Sequence, residues 1–150
     1  MSNRSLIPFS TTIHVRDHCL CLHAQRAARA LARRFDRVLK PFGLTNGQFS
    51  LMMSLNRPEP ASLGSVASLL GMDRTTLTAA LKPLERQGWV TVTKGDEDRR
   101  EKLLTLTFAG QQVLAPAVAA WCDAHEAIEN QMPQGDADRL RQGLNELAAC

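Results

Sequence analysis

From Asp17 to Val38 the positions Leu20, Ala24, Ala27, Leu31, Phe35 and Val38 are apolar and recur at intervals of three and four, the spacing of one face of a helix. Pro41 and Gly43 mark its end. Thr45 then reads as an N-cap, with Gln48 three residues on completing a capping-box pattern. The helix it opens carries Phe49, Met52, Met53 and Leu55 and stops at the loop of Pro58 and Pro60. A short helix, Gly64 to Leu70, leads into the turn Gly71–Met72. Asp73 is suited to cap the next helix, Arg74 to Gln87, and Gly88 to close it.

The period changes after Gly88. Trp89 to Thr93 and Leu103 to Thr107 are rich in β-branched and large apolar residues, and the charged run Lys94 to Arg100 lies between them. This pattern predicts a hairpin with an exposed tip. Two helices follow, Phe108 to Gln131 and Asp136 to Ala149, separated by Pro133 and Gly135, and Pro116 predicts a bend in the first. The expected fold is therefore mainly α with a small β-hairpin wing: one domain, 1–150, with a winged helix-turn-helix at about 45–108. The terminal amphipathic segments, about 17–41 and 108–149, have apolar stripes with nowhere else to be buried, which predicts a homodimer.

Composition narrows the class. Hydrophobic residues at 44% and charged residues at 22% are ordinary for a folded domain and argue against wholesale disorder. No apolar run approaches the ~18 residues of a membrane span. Met1 to Phe9 has a single arginine and no apolar stretch, so neither a secretory leader nor a membrane is expected, and the expected location is cytoplasmic. The net charge is only +3, but it is unevenly spread. Arg16, Arg26, Arg29, Arg33, Arg34, Arg37 and Lys40 crowd the first third, whereas Asp123, Glu126, Glu129, Asp136, Asp138 and Glu146 dominate the end. Such polarity suits a protein with one face toward a polyanion.

The most informative stretch is Leu63 to Lys82. A helix-turn-helix needs a small residue where its helices cross, supplied by Ala67, and a sharp turn four residues later, supplied by Gly71. On the second helix Leu77, Ala80, Leu81 and Leu84 form the inner stripe. At about 100° per residue the opposite face carries Thr75, Ala79, Lys82 and Arg86, flanked by Thr76 and Thr78. Threonine methyls can meet the thymine methyl, while Lys82 and Arg86 suit phosphates. Pro83 removes a backbone donor and predicts a kink, although the leucine spacing carries the helix through it. At the hairpin tip Arg99 and Arg100 suit a narrow minor groove, where negative potential is concentrated, with Asp96 and Asp98 near enough to orient a guanidinium.

These residues resemble the multiple antibiotic resistance regulator (MarR) family. The similar stretches are Leu44 to Phe49, Leu70 to Thr78, Lys82 to Val90, and the wing Asp98-Arg99-Arg100 with Leu106 to Gly110. The likeness extends over about Cys21 to Leu147. It implies an obligate dimer built from the first and last two helices, and a palindromic double-stranded DNA operator read by recognition helices in successive major grooves. It also implies a small-molecule inducer or an oxidant that shifts the dimer out of its DNA-competent spacing. Carried onto this sequence, it makes Asp98 an orienter, Arg100 the minor-groove residue and Arg99 a backbone contact. Where many members have arginine and asparagine after the position of Thr78, this chain has Ala79 and Ala80, which moves readout toward Arg74, Thr75, Thr76 and Thr78 or toward DNA shape.

Cys21 lies where the hydroperoxide-sensing branch of that family keeps its reactive cysteine, but the tyrosines that surround the thiol there have no counterpart, since this chain has none. Cys19 and Cys21, two apart on a helix, point away from each other, so only one can face the interior near the dimer interface; Cys21, in register with His14 and Arg29, is expected there, and Cys21 and then Cys19 are the redox candidates. The four cysteines form no CxxC pair and are expected as reduced thiols. His14, His18, Cys19, Cys21 and His23 do not place four ligands on one helix face, so no metal site is predicted, and no cofactor. The expected function is a sequence-specific transcriptional regulator, a repressor, released from DNA by a small ligand or by thiol oxidation. Two other classes remain open: a winged helix used only for protein contacts, and a thiol-dependent enzyme, although no phosphate loop, HExxH or nucleophile elbow is present.

Overall fold

The structure is a computed structural model that describes residues 6–150, so Met1–Ser5 of the stretch read for a leader lie outside the described residues. Two compact units are formed, one of residues up to Arg34 and one of Phe35–Cys150.

The helix expected from Asp17 onward is two helices, α1 (Phe9–His18) and α2 (Leu20–Leu39), with Asp17 in α1. Cys19 between them is extended, at φ −71° and ψ 106°. Its N–H donates to the Val15 carbonyl at 2.9 Å and ends α1. Its Sγ accepts from the Leu22 N–H at 3.4 Å and its carbonyl from the His23 N–H at 3.1 Å, which starts α2. Cys19 thus caps both helices, which apolar spacing alone does not reveal.

The buried core lies in the second unit. A 3-10 turn (Lys40–Phe42) and Gly43, at φ +73°, follow α2. The expected capping box then opens α3 (Asn46–Ser54): Thr45 Oγ1 accepts from the Gln48 N–H at 3.2 Å, and Gln48 Oε1 accepts from the Thr45 N–H at 3.0 Å. The helix-turn-helix pair is α4 (Leu63–Leu70) and α5 (Arg74–Arg86), and α5 is continuous through Pro83. Phe49, Leu51, Met52, Val66, Leu77, Leu81 and Leu84 from these helices meet in one core.

The hairpin strands, β2 (Val90–Lys94) and β3 (Lys102–Leu106), pair with Val90 opposite Leu106 and Lys94 opposite Lys102. A third strand, β1 (Ala61–Ser62), was not expected from the sequence; it lies antiparallel on β3 and gives the order β1-β3-β2. Two residues are too few to show alternation, and they follow a proline-rich loop. Thr107, expected to end a strand, instead caps α6 (Phe108–Glu129): its hydroxyl accepts from the Gly110 N–H at 3.1 Å and donates to the Gly88 carbonyl at 2.7 Å. Gly110 is buried there, and a Cβ on it would lie 2.4 Å from the Trp89 carbonyl oxygen. The absent side chain is what lets the start of α6 seat against the backbone at Trp89, where the chain enters β2. On α6, Trp121 stacks with His125 at 4.6 Å and with Phe35 and Phe49 at 6.0 and 6.1 Å, so one aromatic cluster ties α6 to the end of α2 and to α3. The last helix, α7 (Asp136–Ala148), is tied to α6 by Arg141, which bridges Glu129 and Asp138.

Candidate nucleic-acid interface

The crossing of α4 and α5 has the features its sequence required. Ala67 is buried, Gly71 adopts φ +64° and ψ 31°, and the Met72 N–H donates to the Ala67 carbonyl at 2.9 Å. Asp73 caps α5 with both oxygens: Oδ1 accepts from the Thr76 N–H at 2.7 Å and Oδ2 from the Thr76 hydroxyl at 2.9 Å. The Thr76 amide, and next its hydroxyl, hold the Asp73 carboxyl below its ordinary value of 3.8. A carboxylate whose folded-state pKa is lowered stabilises the fold above the ordinary carboxylate range and stops doing so as pH falls through the lowered value. Asp73→Ala should therefore lower the thermal midpoint at neutral pH, with the gap to the parent closing in strong acid, while Asp73→Asn keeps most of the cap. Melting curves at the two pH values check this, and a gap that persists unchanged in acid counts against it.

Arg74, Thr75, Thr76, Lys82 and Arg86 are exposed on α5, and Leu77 is fully buried behind them. Thr78 is half-buried and turns toward the wing, and the Thr76 hydroxyl proton is already engaged by Asp73. Two concavities gather the remaining groups. One, of about 550 Å³, is lined by Arg74, Ser62, Leu63 and Gly64 together with Asp98, Arg100, Glu101 and Lys102 of the wing. The tip of the Arg74 side chain lies over Gly64, where a Cβ would be 2.9 Å from Arg74 Nη2. The other, of about 340 Å³, brings Thr78 and Lys82 beside Lys94 and Lys102. Among the described residues Thr75, Thr76, Arg86 and Arg99 line neither concavity.

At the wing tip Asp98 Oδ1 accepts from the Arg100 backbone N–H at 2.9 Å. Asp98 therefore fixes the backbone from which Arg100 projects, and does not hold the guanidinium that its place at the tip led one to expect. Asp96, Arg99 and Arg100 are exposed. Lys94, Lys102 and Gly64 join the site without having been singled out in the sequence. For Lys94 and Lys102 the signal was the alternation of the strands, which puts them in phase with Val92 and Leu104.

The cysteines are four free thiols. Cys19 is half-buried in its cap, while Cys21 is exposed and accepts from Gln25 Nε2 at 3.3 Å, so within the chain the inward member of the pair is Cys19 and not, as expected, Cys21, because the break between the helices turns Cys19 inward as their cap. The rings of His14 and His18 stack at 4.2 Å, and among the described residues no three His, Cys, Asp or Glu side chains gather around a common point fit for a metal.

A helix pair crossing at a small residue, followed by an antiparallel hairpin whose tip lies beside the second helix, defines a winged helix-turn-helix protein. The MarR family model matches residues 44–102. The chain is 38% identical over 82 residues to the HTH-type transcriptional regulator YwoH of Bacillus subtilis, covering 55% of this chain and 59% of that protein, so it spans little more than half that relative's length. With the HTH-type transcriptional regulator SarZ of Staphylococcus haemolyticus it shares 30% identity over 85% of this chain and 86% of that one. The transcriptional regulator MosR of M. tuberculosis, solved in complex with DNA, superposes with a TM-score of 0.80 at 35% identity, covering 88% of this chain and 95% of that one. The chain belongs to the MarR family.

Proposed function

We propose that the chain is a dimeric, cytoplasmic, sequence-specific DNA-binding repressor of transcription rather than an enzyme. The observation that carries this reading is the convergence of Arg74 from the start of α5 and Arg100 from the wing on one concave, cation-bearing surface, with Thr75 and Thr76 exposed on the same helix. The winged helix-turn-helix is assigned to about 45–108. Arg74, Thr75, Thr76 and Thr78 are assigned to base edges, Lys82, Arg86 and Arg99 to phosphates, and Arg100 to the minor groove with Asp98 as its orienter. The likeness to a DNA-bound regulator supports the assignment.

Dimerisation is supported by exposed apolar side chains on the terminal helices, Leu20 and Leu31 on α2 and Leu140, Leu144 and Leu147 on α7. A palindromic operator follows from a twofold protein. Genome-wide mapping of bound sites, followed by light scattering on the chain with a recovered duplex, tests the reading: two chains per duplex are expected. The absence of enriched sites, or a single chain on the duplex, overturns it. Release is assigned to a small ligand or to oxidation of a thiol, and the exposure of Cys21 supports the second. The same complex discriminates the two, since peroxide should dissociate the parent but not Cys21→Ser if the thiol is the sensor.

A further inference from the structure

Side chains alternate along a strand, so the register of the hairpin sorts its residues by face. Val90 opposite Leu106, and Val92 opposite Leu104, make the inner ladder that packs on the helix-turn-helix. The next pair on the same face is Lys94 opposite Lys102. Directly opposed Cβ atoms stand about 5 Å apart, and like charges in that position are destabilising. Lys82 of α5 adds a third ammonium to the same cleft, over a floor that includes Leu81 and Val92. The carboxylate lining the cleft is that of Glu85. Among the described residues none of the three lysines forms an ion pair.

An inward lysine on the edge strand β2 is a known protection against strand addition. That explanation does not extend to Lys102, because β3 is the central strand of the three. Three cations from three elements, converging where an apolar pair would have lengthened the core, instead match a polyanion.

We infer that Lys82, Lys94 and Lys102 form a clamp for a backbone phosphate of double-stranded DNA, at the base of the wing and apart from its tip. The inference rests on the DNA-binding reading and extends it to Lys94 and Lys102. The clamp positions the duplex against α5 and carries no sequence information, because a phosphodiester is the same at every step. The repulsion between the two strand lysines is relieved when the anion arrives, so part of the free chain's stability is given up for affinity.

This gives a signature in which binding and stability move in opposite directions. Lys94→Gln, Lys102→Gln and the double variant, made in the full chain, should bind a mixed-sequence DNA duplex about three turns long with a shallower dependence of log affinity on log salt. The expected change is about 0.9 in slope for each lysine engaged. The double variant should melt at the parent's temperature or above it, and Lys94→Arg with Lys102→Arg should restore the parent slope. An unchanged slope in variants of a parent that binds overturns the clamp and leaves the DNA-binding reading standing. A fall in melting temperature equal to the loss of binding also overturns it, since that marks the lysines as structural. If the parent shows no salt-dependent binding at all, the clamp and the underlying reading fall together.

Discussion

Leu77→Ala should destabilise the fold by about 3–5 kcal/mol, the upper part of the range for a leucine removed from a site that cannot collapse around the loss. Leu77 is fully buried, at 0% exposure, and belongs to the first full turn of α5. On one side it meets the core built from α3 and α4; on the other it carries the backbone that presents Thr75, Thr76 and Thr78. The neighbouring elements have little freedom to close a void: α4 is held by Ala67 at the crossing, and the helix start is fixed by the Asp73 cap. Denaturant titration checks the magnitude, and a loss below about 1.5 kcal/mol contradicts the packing described. Because most small domains have only about 5–15 kcal/mol in hand, the variant should also lose a large part of its DNA binding at 37 °C.

Arg100→Ala should weaken binding to a recovered operator by about 1–3 kcal/mol, and Asp98→Ala should weaken it less. The ranking follows from the geometry at the tip. Arg100 is exposed and supplies the guanidinium itself, whereas Asp98 acts only by accepting the Arg100 backbone N–H. Loss of Asp98 leaves the cation in place and frees its backbone, so the cost is one of ordering. Fluorescence anisotropy across a salt titration separates the cases. Equal losses for the two variants, or none for Arg100→Ala, contradict the assignment of the wing.

The parts of the molecule that were legible in the sequence are those set by neighbours along the chain. Thr45 with Gln48, Asp73 ahead of α5, Gly71 at the turn and Gly88 past the end of α5 each act over a few residues, and each is found in its expected role. The inner stripe of Leu77, Leu81 and Leu84 was equally plain, since a period of 3.6 residues survives even the proline at 83. The features that escaped depend on contacts between distant segments, or on geometry too short to show a period. Cys19 interrupts a helix while leaving the apolar phase of Leu20 and Ala24 intact. The strand Ala61–Ser62 exists only because β3 lies beside it. Gly110 is an ordinary helix residue in the sequence; what requires it to be small is the backbone carbonyl of Trp89. At the wing the family resemblance implied the pair Asp98 and Arg100, but whether the carboxylate held a side chain or a backbone amide was not legible.

Ser62 is both the last residue of β1, opposite Leu103, and the N-cap of α4, its hydroxyl accepting from the Ser65 N–H at 3.2 Å. Strand and helix therefore meet at a single residue, with no linker between them. A tilt of the hairpin is passed to the first turn of α4 without slack, as in a bracket with one rivet, and α4 in turn is crossed by α5. The angle at which the wing stands beside the recognition helix is then set by chain length: one residue more between Ser62 and Leu63 would turn α4 by about 100° against the sheet, whereas the tip at 95–101 could lengthen and leave that angle untouched.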